Sequence, residues 1–280
     1  MNKVIAAFDG LNVSESTSDY AIYLSKEFNA HIVASLLQDI LYHGITNDEI
    51  RKVYEENDWA ATVTLTKQKE LIRAESLKNV SKKFDEKGVH YNIHKDKLIA
   101  LQSLVKESHF ADMILIDGNE NFSDWDKSKP SHFLRNLMAE ADCPLMVVPK
   151  KFEPIEKFVF AYDGSPSSLY AIRLFTYLFP VIPTQELEIV MVTDEPGSNH
   201  FPEQHLLKEL LKRKYPVILQ SVIKSEQTTD TLAQYLESEP KNCMVVLGAY
   251  QRSSFSRWLR QSTADALIDE LDIPVFIAHK

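Results

Sequence analysis

Two cysteines in 280 residues, Cys143 and Cys243, are too few for a disulfide framework. Each lies in an apolar run, "DCPLMVV" and "NCMVVL", and is expected to behave as a small buried hydrophobe. No stretch approaches the ~20 apolar residues of a membrane span. The opening "MNKVIAAFDG" offers one basic residue and a short apolar run, less than a secretory signal needs. Positive charge is also scarce. Lys and Arg number 31 against 40 Asp and Glu, a net charge of −9. That balance argues against nucleic acid or an anionic membrane as the main partner. These absences lead us to expect a cytoplasmic protein. Its 44% hydrophobic and 25% charged content is ordinary, and its length suits two domains.

Catalytic signatures are missing too. His90 and His94 are four residues apart, but the alternation of "VHYNIH" predicts a strand. There i and i+4 lie ~13 Å apart, too far to share a metal. Neither His-Glu-x-x-His nor Gly-x-Ser-x-Gly occurs. "DEPGSNH" (Asp194–His200) reads as a loop, and nothing sets a base beside a nucleophile. "DGNENFSDWDKS" fails the calcium-loop rule, with no glycine at its sixth position and no glutamate at its twelfth. We therefore expect no enzyme and no metal site.

What the chain does have is a repeat. "KVIAAFDGLNVSESTSDYAIYLSKEF" (Lys3–Phe28) is answered by "KFVFAYDGSPSSLYAIRLFTYLF" (Lys157–Phe179). Each runs from lysine through an apolar strand to Asp-Gly, then through serines to an apolar stripe at helical spacing. In the first copy the stripe is Tyr20, Ala21, Leu24 and Phe28; in the second it reads as Tyr170, Ala171, Leu174 and Leu178. "ADMILIDG" (Ala111–Gly118) is answered by "NCMVVLGA" (Asn242–Ala249), and "MAEADCPLMVVPK" (Met138–Lys150) by "IDELDIPVFIAHK" (Ile268–Lys280). Three matched blocks in one order imply a duplicated module of about 130–150 residues. The proline-marked stretch "PKKFEPIEK" (Pro149–Lys157) sets the domains at 1–150 and 151–280.

Within each copy strands alternate with helices. Strands are expected at Val4–Phe8, His31–Leu37, "VHYNIH", "MILID" and "LMVVP". Helices are expected over Ser16–Phe28, roughly Asp48–Glu86, and "KLIALQSLVKESHF". Continuous Val/Ile/Leu strands predict two α/β domains, each a five-stranded, mostly parallel sheet with helices on both faces in flavodoxin-like layering. Ligands in such sheets sit at the carboxyl ends of the strands. Asp9 and Asp163 stand there after strand one, Gly118 and Gly248 after strand four. In the second copy the second helix, near Pro202–Tyr215, is much shorter. Tyr54 and Trp59, in a segment without a counterpart, are expected to pack as core.

These blocks resemble the universal stress protein family, as a tandem of two domains in one chain. The resemblance covers nearly all of the sequence and implies the adenine nucleotide alpha hydrolase-like fold. The nucleotide-binding branch of that family carries Gly-x2-Gly-x9-Gly-Ser/Thr after strand four. Here Gly248, Gln251, Gln261 and Ser262 fall on its four positions, so both inner glycines are glutamine. Bare glycine lets amides approach phosphate without a Cβ between. The loop does carry Arg252, Arg257 and Arg260 near a helix start. By the family pattern, Asp163 faces base and ribose, and backbone near Val192 holds the adenine edge. Gly248, Gln251, Arg252, Gln261, Ser262 and Thr263 surround the phosphates of ATP or AMP with Mg2+. Asp163 reads equally as a turn residue of Asp-Gly-Ser-Pro. The first-copy loop has Gly118, no later glycine before its helix, and Asp117, Glu120, Asp124 and Asp126, like charges that oppose a triphosphate.

Two functions stay open. One is a stress-associated sensor that binds an adenine nucleotide in its C-terminal domain. The other is a nucleotide-free scaffold, pseudo-dimeric within the chain, that forms a homodimer or recruits a protein partner.

Overall fold

The computed structural model describes residues 1–37, 59–95, 99–120, 128–179, 186–194, 200–215, 217–248, 267–268 and 272–279, the side chains of 59–66 aside. They fall into two compact units, Asn2–Asp142 and Cys143–Lys280.

The first unit runs β1 (Val4–Asp9), α1 (Glu15–Phe28), β2 (Ile32–Leu37), α2 (Trp59–Glu86), β3 (Tyr91–Lys95), α3 (Ala100–Ser108), β4 (Met113–Asp117) and α4 (His132–Glu140). Its strands lie in the order β3-β2-β1-β4, with β2 parallel to β3, and β1 parallel to β2 and β4. Every residue of β1, β2 and β4 is buried, as expected of strands covered on both faces. The serines before the helices act as caps. Ser14 Oγ accepts from Thr17 N at 3.2 Å, and Ser131 Oγ accepts from Leu134 N at 3.2 Å. Helix α1 stops at Asn29, which takes the left-handed conformation (φ 51°) that asparagine tolerates.

The second unit runs β5 (Leu145–Val148), β6 (Lys157–Ala161), α5 (Pro166–Leu178), β7 (Glu186–Thr193), α6 (Gln204–Lys212), β8 (Leu219–Lys224), α7 (Thr228–Ser238), β9 (Cys243–Gly248) and β10 (Val275–Ala278). The strand order is β5-β10-β9-β6-β7-β8. All pair in parallel except β5, which runs antiparallel to β10. The last strand of the first repeat, β5, falls in the second of the two units. Each repeat supplies five strands, β1–β5 and β6–β10, as expected.

Helix α5 starts at N-cap Ser165 with Pro166 in its first turn. Its buried stripe is Ala171, Ile172, Phe175 and Phe179, one residue off the expected Tyr170, Leu174 and Leu178, which are only half-buried. The caps give the reason. Tyr20 lies six residues after Ser14, and Ala171, not Tyr170, lies six after Ser165. Phe175 stacks on Phe179 (4.4 Å between centroids) and meets Phe158, Phe160 and Phe276 edge-on at 4.9–5.3 Å. These phenylalanines anchor α5 to one face of the sheet.

The opposite face carries charge. Register puts Lys157, Val159 and Glu188 on that face, beneath α7. Lys157 Nζ reaches Glu188 Oε2 at 2.8 Å and Glu239 Oε2 at 2.6 Å. Glu188 Oε1 also accepts from the hydroxyls of Ser221 and Tyr235. Burial works to raise the Glu188 pKa, but the Lys157 ammonium and the two hydroxyls outweigh it and hold it below the usual carboxylate range. The neighbouring Cys243 thiol is pushed up by burial, to about 11, and both cysteines are buried and outside any disulfide.

Lys157→Met leaves the buried Glu188 and the half-buried Glu239 without their cation. It should cost about 3–5 kcal/mol in urea unfolding. The lowered Glu188 pKa gives stability that is present above the unfolded carboxylate pKa of ~4.3 and lost as pH falls through the folded value. The acid limb of the stability–pH curve should therefore flatten in Glu188→Gln.

Candidate functional site

Strand register makes the two copies comparable residue by residue. Asp9 and Asp163 each follow their Ala-x step at the end of the first strand. Val4 pairs Met113 and Phe158 pairs Met244, so Asp117 and Gly248, each four residues beyond its methionine, are counterparts. Ala7 pairs Ser35 and Ala161 pairs Val190, so Leu37 and Val192, each two residues further on, are counterparts.

In a parallel ladder the N–H and C=O of one residue face the same neighbour, and successive residues alternate sides. Tyr162 N–H donates to the Val190 carbonyl at 2.9 Å, so Val190 and Val192 face β6. Ser225 N–H donates to the Thr193 carbonyl at 3.0 Å, so the odd-numbered residues of β7 face β8. The Tyr162–Val190 bond is the last rung of the β6–β7 ladder. Val192, only 1% exposed, thus turns its N–H and C=O toward a side where no described backbone group pairs them.

The first copy seals the same edge. Its ladder continues through Asp9↔Leu37, and Gly10 N–H donates to the Leu37 carbonyl at 3.3 Å. One glycine decides the difference. Gly164 lies at φ +77°, where a side chain is strained, and leads the chain out of the ladder; Gly10 is not in that region. Pro202 fills the space beside Gly164: a Cβ there would meet its Cβ and Cγ at 2.8 Å. The Tyr162 hydroxyl donates to the Pro202 carbonyl at 3.1 Å, and its ring lies 6.3 Å from that of Phe201.

Asp163 is half-buried beside this turn. Its Oδ1 accepts from Ser165 N at 2.9 Å and Ser168 Oγ at 2.7 Å. The turn reading of Asp163 is therefore satisfied by one oxygen, and Oδ2 has no hydrogen bond among the described residues. Gly248 closes the other side. A Cβ on it would lie 2.4 Å from the Ser167 carbonyl carbon and oxygen and 2.5 Å from Ser168 N. The bareness of Gly248 is required by the close approach of the first turn of α5 to β9. Asp163, Val192 and Gly248 thus share the carboxyl end of one sheet. Gln251, Arg252, Gln261, Ser262 and Thr263, with Arg257 and Arg260, lie outside the described residues. So do Tyr54, the side chain of Trp59, residues 121–127 and residues 195–199.

In the first copy acids stand where the second has open backbone. The counterpart of Gly248 is Asp117, not Gly118. The Asp117 carboxylate accepts from Ser14 Oγ at 2.6 Å and from Asn119 N at 2.8 Å. Asp9 and Glu120 are buried with it, 6% exposed each. Burial, and then the charges of Asp9 and Asp117, push the Glu120 carboxyl well above the usual carboxylate range. Arg73 of α2 leans over the same end, its Cγ 3.2 Å from where a Gly10 Cβ would stand. No group of metal-ligating side chains occurs among the described residues. His94 lies in β3 as expected, its Nδ1 3.0 Å from Glu107 Oε2. Sequence reasoning singled out the acidic loop but missed the roles of Arg73 and Pro202, because one arrives from the long helix α2 and the other from the turn before α6.

Comparison with solved structures gives the architecture a precedent. A universal stress protein from Archaeoglobus fulgidus DSM 4304 superposes with a TM-score of 0.65 at 15% identity, covering 99% of this chain and 96% of that one. This is the universal stress protein fold. A putative universal stress protein from Pseudomonas aeruginosa UCBPP-PA14 has a TM-score of 0.56 at 11% identity, covering 99% and 92%. A functionally unknown protein from Pseudomonas aeruginosa PAO1 has 0.56 at 10%, with the same coverage. No family model and no curated protein matches the sequence. Among the described residues no helix is long and apolar enough to cross a membrane.

Two variants probe the ends of this fold. Gly248→Ala should destabilise by about 3 kcal/mol or more in chemical denaturation, since its Cβ strikes backbone that cannot rotate away. For Glu120 the folded pKa is raised, so its contribution is fully present below the unfolded carboxylate pKa and lost as pH rises through the folded value. Glu120→Gln should match the parent near pH 4 and exceed its urea midpoint at pH 8.5.

Proposed function

We propose that the Cys143–Lys280 unit binds one adenine nucleotide, ATP or AMP with Mg2+, at the carboxyl ends of β6, β7 and β9. We propose further that this occupancy serves a cytoplasmic stress response as a regulatory signal, without turnover. One observation carries the reading: the buried edge of Val192 that faces β6 and has no backbone partner among the described residues. Buried backbone N–H and C=O groups left without partners cost free energy. Adenine presents a ring-nitrogen acceptor beside an amino donor and complements such an edge, whereas the N7 edge of guanine presents two acceptors. Asp163 supports the reading, with one oxygen fixed by Ser165 and Ser168 and the other free of described partners. The glutamines at 251 and 261 weaken a backbone cradle, and in this reading Arg252, with Arg257 and Arg260, supplies charge to the phosphates in its place.

For the Asn2–Asp142 unit a scaffold role is favoured. Its edge is zipped at Gly10–Leu37, and Asp117 stands where a phosphate glycine belongs. The scaffold reading of the whole chain, with homodimer formation or a protein partner, is the alternative if nucleotide is absent.

Mass spectrometry of the purified, denatured protein should release adenine nucleotide at no more than one per chain. ATP–Mg2+ at about a hundred times its Kd should stabilise the folded chain by about 2.7 kcal/mol, seen as a raised Tm. Asp163→Asn should weaken binding about tenfold or more, the scale of a lost charged hydrogen bond. No shift at millimolar ATP, with no nucleotide carried through purification, leaves the scaffold.

A further inference from the structure

We infer that the Asp163–Gly164 step is a two-position backbone switch that opens and zips the Val192 edge. The two copies of the repeat hold its two positions. In the zipped position, seen at Asp9–Gly10, the glycine stays in the ladder and its N–H donates to the Leu37 carbonyl. In the open position, seen at Asp163–Gly164, the glycine sits at φ +77° and is exposed. Its N–H has no hydrogen bond among the described residues, and the Val192 carbonyl loses the donor that its counterpart Leu37 keeps.

Pro202 is the wedge that holds the open position. Its ring atoms stand 2.8 Å from the site of a Gly164 Cβ, close enough that only glycine fits. The Tyr162 hydroxyl latches the wedge by donating to the Pro202 carbonyl at 3.1 Å. The latch is under strain at its far end. Glu203, the residue after the wedge, has φ 48°, a left-handed conformation unusual for glutamate, and its side chain makes no capping hydrogen bond to α6.

The opposing terms are similar in kind. The open position leaves a buried carbonyl unpaired and keeps Glu203 strained; the zipped position gives up the Tyr162 latch and the packing of Pro202. Glycine alone can occupy both positions, since both the extended and left-handed regions are open to it. The inference rests on the nucleotide reading in one respect: a base that occupies the Val192 edge holds the switch open.

Residue-resolved amide exchange reads the switch without a ligand. In the parent protein the Gly10 amide should be protected and the Gly164 amide should exchange fast. Pro202→Gly, and as the milder change Pro202→Ala with Tyr162→Phe, release the wedge. In both, exchange at Gly164 should slow by about tenfold or more, and ATP affinity should fall by a similar factor as the open fraction falls. Saturating ATP–Mg2+ should restore fast exchange. Unchanged exchange at Gly164 in both variants, with Gly10 still protected as a sign of an intact fold, overturns the switch. Slowed Gly164 exchange in a protein that never binds ATP supports the switch and removes the nucleotide reading. Nucleotide binding with unchanged exchange does the reverse.

Discussion

Everything distinctive here depends on where a parallel ladder ends. Each residue of a strand offers its N–H and C=O to one neighbour only, so a single missing rung leaves one donor and one acceptor side by side. In the first copy the rung Gly10–Leu37 is made and the crevice beside β1 is sealed by backbone. In the second, Gly164 leaves the ladder, and the side of Val192 that faces β6 has no backbone partner among the described residues. The sequence reads Asp-Gly at both places. The dipeptide permits either outcome, and the choice is made by what packs on the glycine: Arg73 lies against Gly10, and Pro202 against Gly164.

Electrostatics follows the same division. Where the first crevice is closed, buried carboxylates gather at the strand ends. Asp117 caps its own turn through Asn119 and ties to Ser14, so it is held as a structural group. Glu120 beside it has a raised pKa because burial and two neighbouring carboxylates all oppose its charge. The second copy shows the complementary arrangement. Its charged network lies near the opposite ends of the strands, around Lys157, which heads β6, and Glu188. The carboxyl end keeps Asp163 as a carboxylate anchored on one oxygen.

The strands were legible in the sequence because their apolar runs are continuous. Val4–Phe8 is expected and Val4–Asp9 found; "MILID" is found as read, and "LMVVP" is found without its proline. Helix α5 was legible in place but not in phase. The link from Asp-Gly to the cap is five residues after Asp9 and two after Asp163, and aligning Tyr20 with Tyr170 slips the stripe by one. The pairing of β5 with β10 is expected from the resemblance, in which domains pack through their last strands, and not from the strands themselves, which carry no mark of which neighbour they pair with. Of the site, Asp163, Val192 and Gly248 were legible as positions; their roles were not. That Gly248 is bare because Ser167 presses on it is a fact of packing.

The pairing of β5 also gives the open crevice a mechanical setting. Gly248 is paired with Ala278 at the end of β10, and β10 in turn pairs with β5 through Val275–Val147 to Ile277–Leu145. Two ladders therefore connect the strand that the first repeat supplies to the glycine that the second repeat presents beside Asp163. Gly248 has no slack on its other side, where the Ser167 backbone already stands at the limit of approach. β9 is thus fixed from both sides at this end. The slack at the carboxyl end lies between β6 and β7, where the ladder stops early at Gly164.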